Sequence, residues 1–305
     1  MIRKHTRRAA KAAFAISLGV AIVLGGTAAV ASATPQAKPT IIVGNKNFTE
    51  EYILGQLYGQ ALQAKGYTVK YAGSLGSSEL ADTAIKTGKI NLLPEYTGVI
   101  VLDLAKEKSP KTAAATFAAA KKFEETRGLT LLNATPFYDA DTVSVLKSTA
   151  QKYGLKTIGD LKKLGSFTYA GYPECNKRIT CLLGLKQIYG LTKVKFVQIG
   201  SISVETLLDN HNATAGDIFS TEPALATGKY TPLTDTKHIF GFQNVAPVIS
   251  KKTLAAGGMD LEHAINAVTA KLTIPAMIAM NKAVAVDKKT PAAVAKSFLK
   301  ANGLL

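Results

Sequence analysis

The sequence predicts an α/β fold, because short β-rich runs alternate with helical segments along most of the chain. Strand-like runs at residues 41–43, 68–71 and 90–93 are separated by helical segments at 50–65 and 78–87. Such alternation is typical of βαβ units, so we expect largely parallel sheets. The absence of a short-period repeat argues against solenoids and propellers. A chain of 305 residues has room for one large or two medium α/β lobes.

The second half of the chain continues this pattern and ends in helices. Strand-like runs occur at 167–170, 194–197 and 217–219, with a helical segment at 179–189. From Asp260 onward, apolar residues recur at helical spacing, and these residues are Leu261, Ile265, Val268 and Leu272. We expect the C-terminal helices to pack against the rest of the fold.

The first 33 residues are predicted to be a secretory signal peptide. Five basic residues stand before an apolar run at 12–30 that ends in Ala-Ser-Ala at 31–33. This order matches the charged, apolar and cleavage regions of such a signal. An uncleaved membrane anchor is the alternative, and Gly25 and Gly26 within the run disfavour it. Since no cysteine for lipid attachment lies near the cleavage site, we expect an exported protein in the periplasm or on the extracellular face of the cell membrane.

The formal net charge of +16 raises the question of nucleic-acid binding. Lysines and arginines are scattered over predicted helix faces, and the sequence contains no recognised nucleic-acid module. A solvated basic surface explains this composition better. We therefore expect no nucleic-acid partner.

The two cysteines, Cys175 and Cys181, are six positions apart. In an exported chain this spacing favours a disulfide that closes a tight loop over two free thiols. A single nucleophilic cysteine is a third interpretation, which the absence of a nearby histidine disfavours. The four histidines are widely spaced, so we expect no metal site and no cofactor; they are His5, His211, His238 and His263.

Two short segments, each following an apolar strand, carry groups suited to the two ends of a small zwitterion. Lys46 lies in the turn before a helix whose first residues are Thr49, Glu50 and Glu51. The Thr49 hydroxyl is expected to cap this helix, and an ammonium group beside a helix N-terminus can bind a carboxylate. Tyr96 follows the run at 90–93 and offers a ring face that can hold a cation.

These segments resemble the solute-binding proteins of ABC importers for glycine betaine, choline and related compatible solutes. The resemblance follows the chain in order from about Thr40 onward, and that order is more specific than any single motif. The matching motifs are Gly-Asn-Lys-Asn-Phe-Thr-Glu at 44–50, Leu-Gly-Ser-Ser-Glu-Leu at 75–80, Pro-Glu-Tyr-Thr-Gly at 94–98, Gly-Leu at 190–191 and Ala-Pro-Val-Ile at 246–249.

The resemblance implies a type II periplasmic-binding-protein fold. In that fold two lobes, each a mixed and mostly parallel sheet flanked by helices, enclose the ligand in a cleft. The implied division is a signal peptide at 1–33, a discontinuous lobe I at 34–141 plus 245–305, and lobe II at 142–244. The implied function is the extracytoplasmic binding component of an ABC importer, with membrane permease subunits as partners and no catalysis of its own.

The resemblance also implies a set of ligand-binding residues. Lys46 and Arg178 stand at the positions that bind the ligand carboxylate from opposite lobes, where a guanidinium can bond bidentately. Tyr96 matches the first ring of the aromatic cage around the ammonium group. Four further positions complete the expected site, namely Asp141, Phe219, Phe242 and Gln243.

The cage departs from the family pattern at several of these positions. Val143 follows Asp141 and Thr142 where a tyrosine is common, Phe219 replaces a tyrosine, and Gln243 stands where another ring is expected. Each desolvated cation–π contact contributes about 2 kcal/mol at best, so the missing rings put the ligand, not the fold, in question.

Two alternatives to betaine binding therefore stay open. The first is a binding protein for a different small zwitterion or polar acid that needs fewer rings. The second is a secreted enzyme on the same scaffold, with Cys175 as nucleophile or Glu174 as base. The absence of a paired histidine or a second placed carboxylate disfavours the enzyme, and a turnover assay would separate it from a binding protein.

Overall fold

The computed structural model describes residues 37–305, which contain two five-stranded sheets flanked by helices. The predicted signal peptide at 1–33 lies outside the described residues. The strands of the first sheet are β1 (Ile41–Asn45), β2 (Val69–Ser74), β3 (Leu92–Tyr96), β4 (Leu129–Leu131) and β10 (Val245–Ser250). The strands of the second sheet are β5 (Asp141–Leu146), β6 (Phe167–Gly171), β7 (Val194–Gln198), β8 (Ala215–Phe219) and β9 (Tyr230–Leu233).

Helices connect and cover the two sheets. They are α1 (Thr49–Ala64), α2 (Ser78–Lys86), α3 (Thr97–Val99), α4 (Ala113–Glu125), α5 (Lys147–Tyr153), α6 (Leu182–Gln187), α7 (Val204–Asp209), α8 (Pro223–Ala226), α9 (Lys251–Thr269), α10 (Ile274–Ala285) and α11 (Pro291–Ala301). A π-helical turn at Ile100–Leu104 and two 3₁₀ segments at Ile158–Leu164 and Pro173–Lys177 complete the regular structure. Within residues 37–305, we find no helix with both the length and the apolar character needed to cross a membrane.

The two sheets are mixed, and both follow one plan. The first has the strand order β2-β1-β3-β10-β4 and the second β7-β6-β8-β5-β9. This arrangement confirms the predicted α/β fold with mixed, mostly parallel sheets, because four of the five strands in each sheet run in the same direction. Strand β10 is antiparallel to both its neighbours, and so is β5, while the other pairings are parallel. Both strands follow connections that cross from the other sheet instead of a βαβ crossover, which accounts for their reversed direction.

The chain passes between the sheets twice, and the two passages lie side by side. The first sheet takes its strands from residues 41–131 and 245–250, and the second takes its strands from residues 141–233. Where the passages meet, Tyr138 and Asn244 form an isolated antiparallel bridge. The Asn244 side-chain amide also donates to the carbonyls of Thr135 and Phe137, both at 3.0 Å.

Helix α1 begins differently from the sequence-based expectation. Thr49 is its first helical residue, and the preceding Phe48 makes no side-chain cap, so the predicted Thr49 cap is wrong. The Glu51 carboxylate instead accepts a hydrogen bond from the Lys46 backbone N–H at 3.1 Å. The far end matches the expectation, because Gly66 follows the helix with a φ of 79°, a conformation that glycine adopts without strain.

The predicted helix at 179–189 is shorter than expected. The structure has helix α6 only over Leu182–Gln187, because the preceding residues form a 3₁₀ turn and a disulfide-closed loop. The strand predicted at 90–93 lies at Leu92–Tyr96 instead, so Glu95 and Tyr96 belong to the sheet.

The larger apolar core lies on one face of the first sheet. Helix α1 packs there between the sheet and the C-terminal helices α9, α10 and α11. Leu57, on the buried face of α1, is 0% exposed in this core. The C-terminal helices therefore have the packing role that their periodicity predicts.

Leu57→Ala should lower the free energy of unfolding by about 2 to 5 kcal/mol, because it removes buried methyl groups and leaves a cavity. Leu80→Ala is the matched control, since Leu80 is 61% exposed on α2. Urea unfolding followed by circular dichroism measures both variants. Equal stability of the two would contradict this assignment of the core.

Candidate functional site

The candidate site lies where the carboxyl ends of parallel strands in the two sheets approach each other. In the first sheet, β1 and β3 are parallel neighbours, so Lys46 after β1 lies near Tyr96 at the end of β3. In the second sheet, β6 and β8 are parallel neighbours, which brings Tyr172 after β6 near Phe219 at the end of β8. The carboxyl ends of strands in open α/β sheets are a common place for ligand sites.

A cavity of about 50 Å³ lies between these strand ends. Six of the seven predicted ligand residues line it, namely Lys46, Tyr96, Asp141, Arg178, Phe219 and Gln243. The seventh, Phe242, does not line it. The structure therefore brings six of the predicted residues together around one cavity and leaves Phe242 apart from them.

Phe242 lies outside the cavity because its neighbour Gln243 occupies the inward position. The Gln243 side-chain amide donates to the carbonyl of Phe240 at 2.7 Å, and its oxygen accepts from the Val99 N–H at 3.1 Å. The Phe242 ring is 38% exposed, and the Phe242 carbonyl accepts from the Thr97 hydroxyl. Val143, the other altered position, is buried in the core of the second sheet.

Four aromatic rings form one wall of the cavity. The Phe48 ring centroid is 6.2 Å from that of Tyr96 and 5.2 Å from that of Phe219. Tyr172 stacks on Phe219 with a centroid distance of 5.6 Å. Sequence reasoning missed Phe48 and Tyr172, although Phe48 stands inside the motif at 44–50 and Tyr172 directly follows a predicted strand. The cavity wall thus contains two rings outside the predicted set, whereas positions 143 and 243 contribute none.

Lys46 is only 3% exposed, and its ammonium group already has protein partners. It forms an ion pair with Glu95, lies 3.5 Å from the Glu51 carboxylate and donates to the Ser78 hydroxyl at 3.3 Å. It also lies 4.2 Å from the centroid of the Tyr96 ring. Burial raises the pKa of Glu51 to about 8 even beside Lys46. The ammonium group thus pairs with the Glu95 carboxylate and occupies one face of Tyr96.

Arg178 bridges the two halves of the site. Its Nε and Nη2 atoms donate to the two carboxylate oxygens of Glu79 at 3.1 and 3.0 Å, a bidentate pair. This pairing holds the pKa of Glu79 at about 2, against the opposing effect of burial. A second contact lies nearby, where the Thr180 hydroxyl donates to Asp103 at 2.7 Å. In this conformation the guanidinium group is therefore committed to a protein carboxylate.

Glu50 connects the aromatic wall to both sheets and to a C-terminal helix. Its carboxylate accepts from the Tyr96 hydroxyl at 2.8 Å and from the Thr221 hydroxyl at 2.6 Å. The Asn281 side-chain amide on α10 donates to the same carboxylate at 3.1 Å. Burial raises the pKa of Glu50, and these three donors oppose the shift. The backbone N–H of Thr221 donates in turn to Asp139 at 2.9 Å, where the chain passes between the sheets.

Three aspartates on the side of the second sheet line the cavity, namely Asp139, Asp141 and Asp217. Burial raises the pKa of Asp141 to about 6, with the nearby Arg178 opposing the shift. Burial also raises the pKa of Asp217 well above its usual range, and the adjacent Asp141 adds to this shift. The cavity therefore contains more carboxyl groups than its cations can neutralise.

In the structure, Cys175 and Cys181 are joined by a disulfide, and both sulfurs lie in the cavity wall. Within residues 37–305, the group with metal-ligand spacing is Cys175, Cys181 and Asp217. Both of its sulfurs are already bonded to each other. The interpretation of Cys175 as a nucleophile is therefore wrong for this structure, because that sulfur has no free thiolate form.

A wider groove of about 680 Å³ adjoins the cavity. The two share Tyr172, Asp217 and Phe219, so the stacked ring pair forms a partition between them. Two carboxyl groups, Glu205 and Glu222, also line the groove. Burial raises the pKa of Glu222 to about 7, with a further contribution from the charge of Glu205.

Comparison with known proteins gives a consistent result. The family model described as the substrate binding domain of ABC-type glycine betaine transport system matches residues 39–301. Over 280 residues the chain is 30% identical to a glycine-betaine-binding protein from Pseudomonas aeruginosa, covering 87% of this chain and 89% of that protein. Over 275 residues it is 26% identical to an ergothioneine transport permease/ergothioneine binding protein from Helicobacter pylori, covering 88% of this chain and 48% of that protein.

The fold also matches solved structures. A crystal structure of a glycine betaine/carnitine/choline ABC transporter superposes with a TM-score of 0.70 at 23% identity, covering 87% of this chain and 99% of that chain. This likeness confirms the predicted type II periplasmic-binding-protein fold.

Lys46→Gln should lower the free energy of unfolding by about 3 to 5 kcal/mol, because it leaves the buried carboxylate of Glu95 without its cation. Lys89→Gln removes an exposed lysine and should change little. Urea unfolding at neutral pH compares the two variants. A loss no larger than that of the control would show that the buried ion pair does not stabilise the fold.

The raised pKa of Glu222 predicts that the free energy of unfolding decreases as pH rises from about 5 to about 8. The folded protein keeps this proton up to about pH 7, whereas the unfolded chain loses it near its ordinary value of 4.5. Glu222→Gln should flatten this pH dependence by about 1 to 3 kcal/mol, and the exposed Glu107→Gln should leave it unchanged. Unfolding titrations at several pH values measure the slope, and an unaltered slope in Glu222→Gln would refute the prediction.

Proposed function

Because the chain belongs to the family of substrate-binding domains of ABC-type glycine betaine transport systems, we propose that it is the extracytoplasmic solute-binding component of an ABC importer. Its proposed ligand is glycine betaine or a related quaternary ammonium solute, taken up as an osmoprotectant. The single observation that carries this proposal is the wall of four rings beside buried carboxyl groups in a cavity between two sheets.

The chemistry of this wall suits a trimethylammonium group. Aromatic faces attract a cation through their quadrupole while their apolar surface accommodates its methyl groups. We propose that Phe48, Tyr96, Tyr172 and Phe219 contact this group, with Asp141 and Gln243 completing the pocket. Lys46 supports the site by fixing Tyr96 and neutralising Glu95. Arg178 supports the site by its bidentate hydrogen bonds to Glu79, which join the two halves of the cavity wall.

The proposed mechanism is closure of the two halves around the solute, followed by delivery to permease subunits in the membrane. The two chain passages at residues 138–141 and 244 are the places where such a motion would bend the backbone. The contacts of Arg178 with Glu79 and of Thr180 with Asp103 join the halves on the opposite rim. We also propose that residues 1–33 direct export and are then removed, without lipid attachment. No catalytic step is part of this function.

Thermal denaturation of the purified protein should show a rise in melting temperature with choline or glycine betaine, since a ligand that binds only the folded state stabilises it. Phe219→Ala should weaken binding by about 1 to 2 kcal/mol, or roughly 5- to 30-fold, because one ring leaves the wall. Phe242→Ala is the matched control, because it removes a ring that lies outside the cavity.

The uncharged carbon isostere of choline, with a tert-butyl group in place of the trimethylammonium group, provides the ligand control. It has nearly the same shape but lacks the charge that the rings attract. If no quaternary ammonium compound binds, or if the isostere binds equally well, the proposed function is wrong.

A further inference from the structure

The disulfide in the cavity wall closes a short loop on the side of the second sheet. Two side chains within this loop contact the other half of the molecule. Arg178 binds the carboxylate of Glu79 on α2 bidentately, at 3.1 and 3.0 Å. The Thr180 hydroxyl donates to Asp103, in the π-helical turn, at 2.7 Å. Both contacts across this rim therefore come from the part of the chain that the disulfide encloses.

The disulfide also fixes the backbone from which these side chains extend. The loop lies between two short elements, the 3₁₀ segment that ends at Lys177 and helix α6, which begins at Leu182. The Arg178 N–H donates to the Cys175 carbonyl at 3.3 Å, and the Cys181 N–H donates to the Arg178 carbonyl at 3.2 Å. A cross-link between the two cysteines restricts the conformations of such a loop before its side chains make any contact.

The two sulfur atoms face the place where the solute is proposed to bind. Both cysteines line the cavity of about 50 Å³, and in this conformation Cys175 is 2% exposed and Cys181 is 3% exposed. A reductant must reach one sulfur directly, because thiol–disulfide exchange passes through a mixed disulfide. A solute that occupies the cavity therefore stands between the disulfide and a reductant.

We propose that the disulfide is a redox-sensitive latch on solute binding. When it is intact, it presents Arg178 and Thr180 to the first half and favours closure around the solute. When it is reduced, the loop is free and both contacts weaken. This inference rests on the proposed function and adds regulation to it. The coupling runs in both directions, since an effect of reduction on solute affinity requires an equal effect of solute on the reduction equilibrium.

Reduction requires a dithiol, the class of reductant that includes dithiothreitol. One thiolate of the dithiol attacks a bridge sulfur, which breaks the S–S bond, forms a mixed disulfide and releases the other cysteine. The second thiolate of the dithiol then attacks the mixed disulfide and releases the first cysteine. Two electrons pass to the bridge, two protons complete the thiols of Cys175 and Cys181, and the dithiol becomes a cyclic disulfide. An oxidised dithiol restores the latch by the reverse steps.

Isothermal titration calorimetry with glycine betaine and with choline tests the latch. It compares three forms of the protein: the form with the intact disulfide, the form reduced by dithiothreitol, and the double variant Cys175→Ser and Cys181→Ser. We expect both bridge-free forms to bind about tenfold more weakly, because closure must then order a flexible loop. The reduced protein carries no substitution, so it controls for any folding defect of the double variant.

Glu79→Gln tests whether the effect passes through the cross-rim contact. With the disulfide intact, this change removes the charged partner of Arg178 and should weaken binding about fivefold or more. In the double cysteine variant it should change affinity by less than about twofold, because residues in one network are not additive. Glu107→Gln is the matched control, since Glu107 is exposed and should affect neither background. Equal effects of Glu79→Gln in both backgrounds would refute the latch.

The rate of reduction by dithiothreitol tests the coupling in the other direction. If only the solute-free protein exposes its disulfide, the rate falls in proportion to the fraction of protein without solute. Solute at about ten times its Kd should therefore slow reduction about tenfold. Alkylation of the released thiols followed by mass spectrometry measures this rate, and sodium chloride at the same concentration controls for ionic strength.

The remaining contrary outcomes differ in what else they affect. Affinity of both bridge-free forms within about twofold of the intact protein refutes the latch and leaves the proposed function standing. A reduction rate that saturating solute leaves unchanged does the same. Unfolding of the protein on reduction, seen by circular dichroism, would show that the disulfide holds the whole fold and is not a latch. Failure of both compounds to bind the intact protein refutes the proposed function together with the inference.

Discussion

The structure depends most on the buried carboxylate of Glu50, because three separate parts of the chain donate hydrogen bonds to it. Tyr96 is the last residue of β3 in the first sheet. Thr221 comes shortly after β8 of the second sheet, and Asn281 lies on the C-terminal helix α10. A buried carboxyl group needs such partners, and the Tyr96 and Thr221 hydroxyls lose a buried acceptor if it is removed. Glu50 therefore fixes the Tyr96 ring and joins the two halves on one side of the cavity, while Arg178 and Glu79 join them on the opposite rim.

The same principle explains why the cavity cations are not free. Lys46 and Arg178 both lie among several carboxyl groups. The Lys46 ammonium group makes a single close contact with Glu95, and the Arg178 guanidinium group binds Glu79 bidentately. Burial raises the pKa values of two further carboxyl groups in the cavity wall, those of Asp141 and Asp217. Both cations of the cavity wall are thus bonded to protein carboxylates in this conformation.

Much of the fold follows from the sequence, whereas the site follows only in part. Strand and helix periodicity, with Gly66 as a stop, located α1 and the first strands to within a few residues. The direction of β5 and β10 could not be read from periodicity, because it depends on a crossing between distant parts of the chain. Lys46 lies at the cavity, as its motif predicts, but its contacts with Glu95 and Glu51 depend on residues that are distant in the sequence or buried, and a motif does not show them. Phe48 and Tyr172 were missed because no pattern distinguishes a cavity ring from a core ring.

The two passages of the chain between the sheets also govern the order in which the protein can fold. All strands of the second sheet lie within one continuous stretch, so it can assemble from neighbouring segments. The first sheet cannot, because β10 inserts between β3 and β4, and its pairing of Val245 with Tyr96 closes a stretch of about 150 residues. Contacts of such long range form slowly because loop closure comes first. During synthesis, the half of the molecule made first is thus completed last, and until β10 emerges from the ribosome β3 and β4 present exposed edges that another chain could pair with.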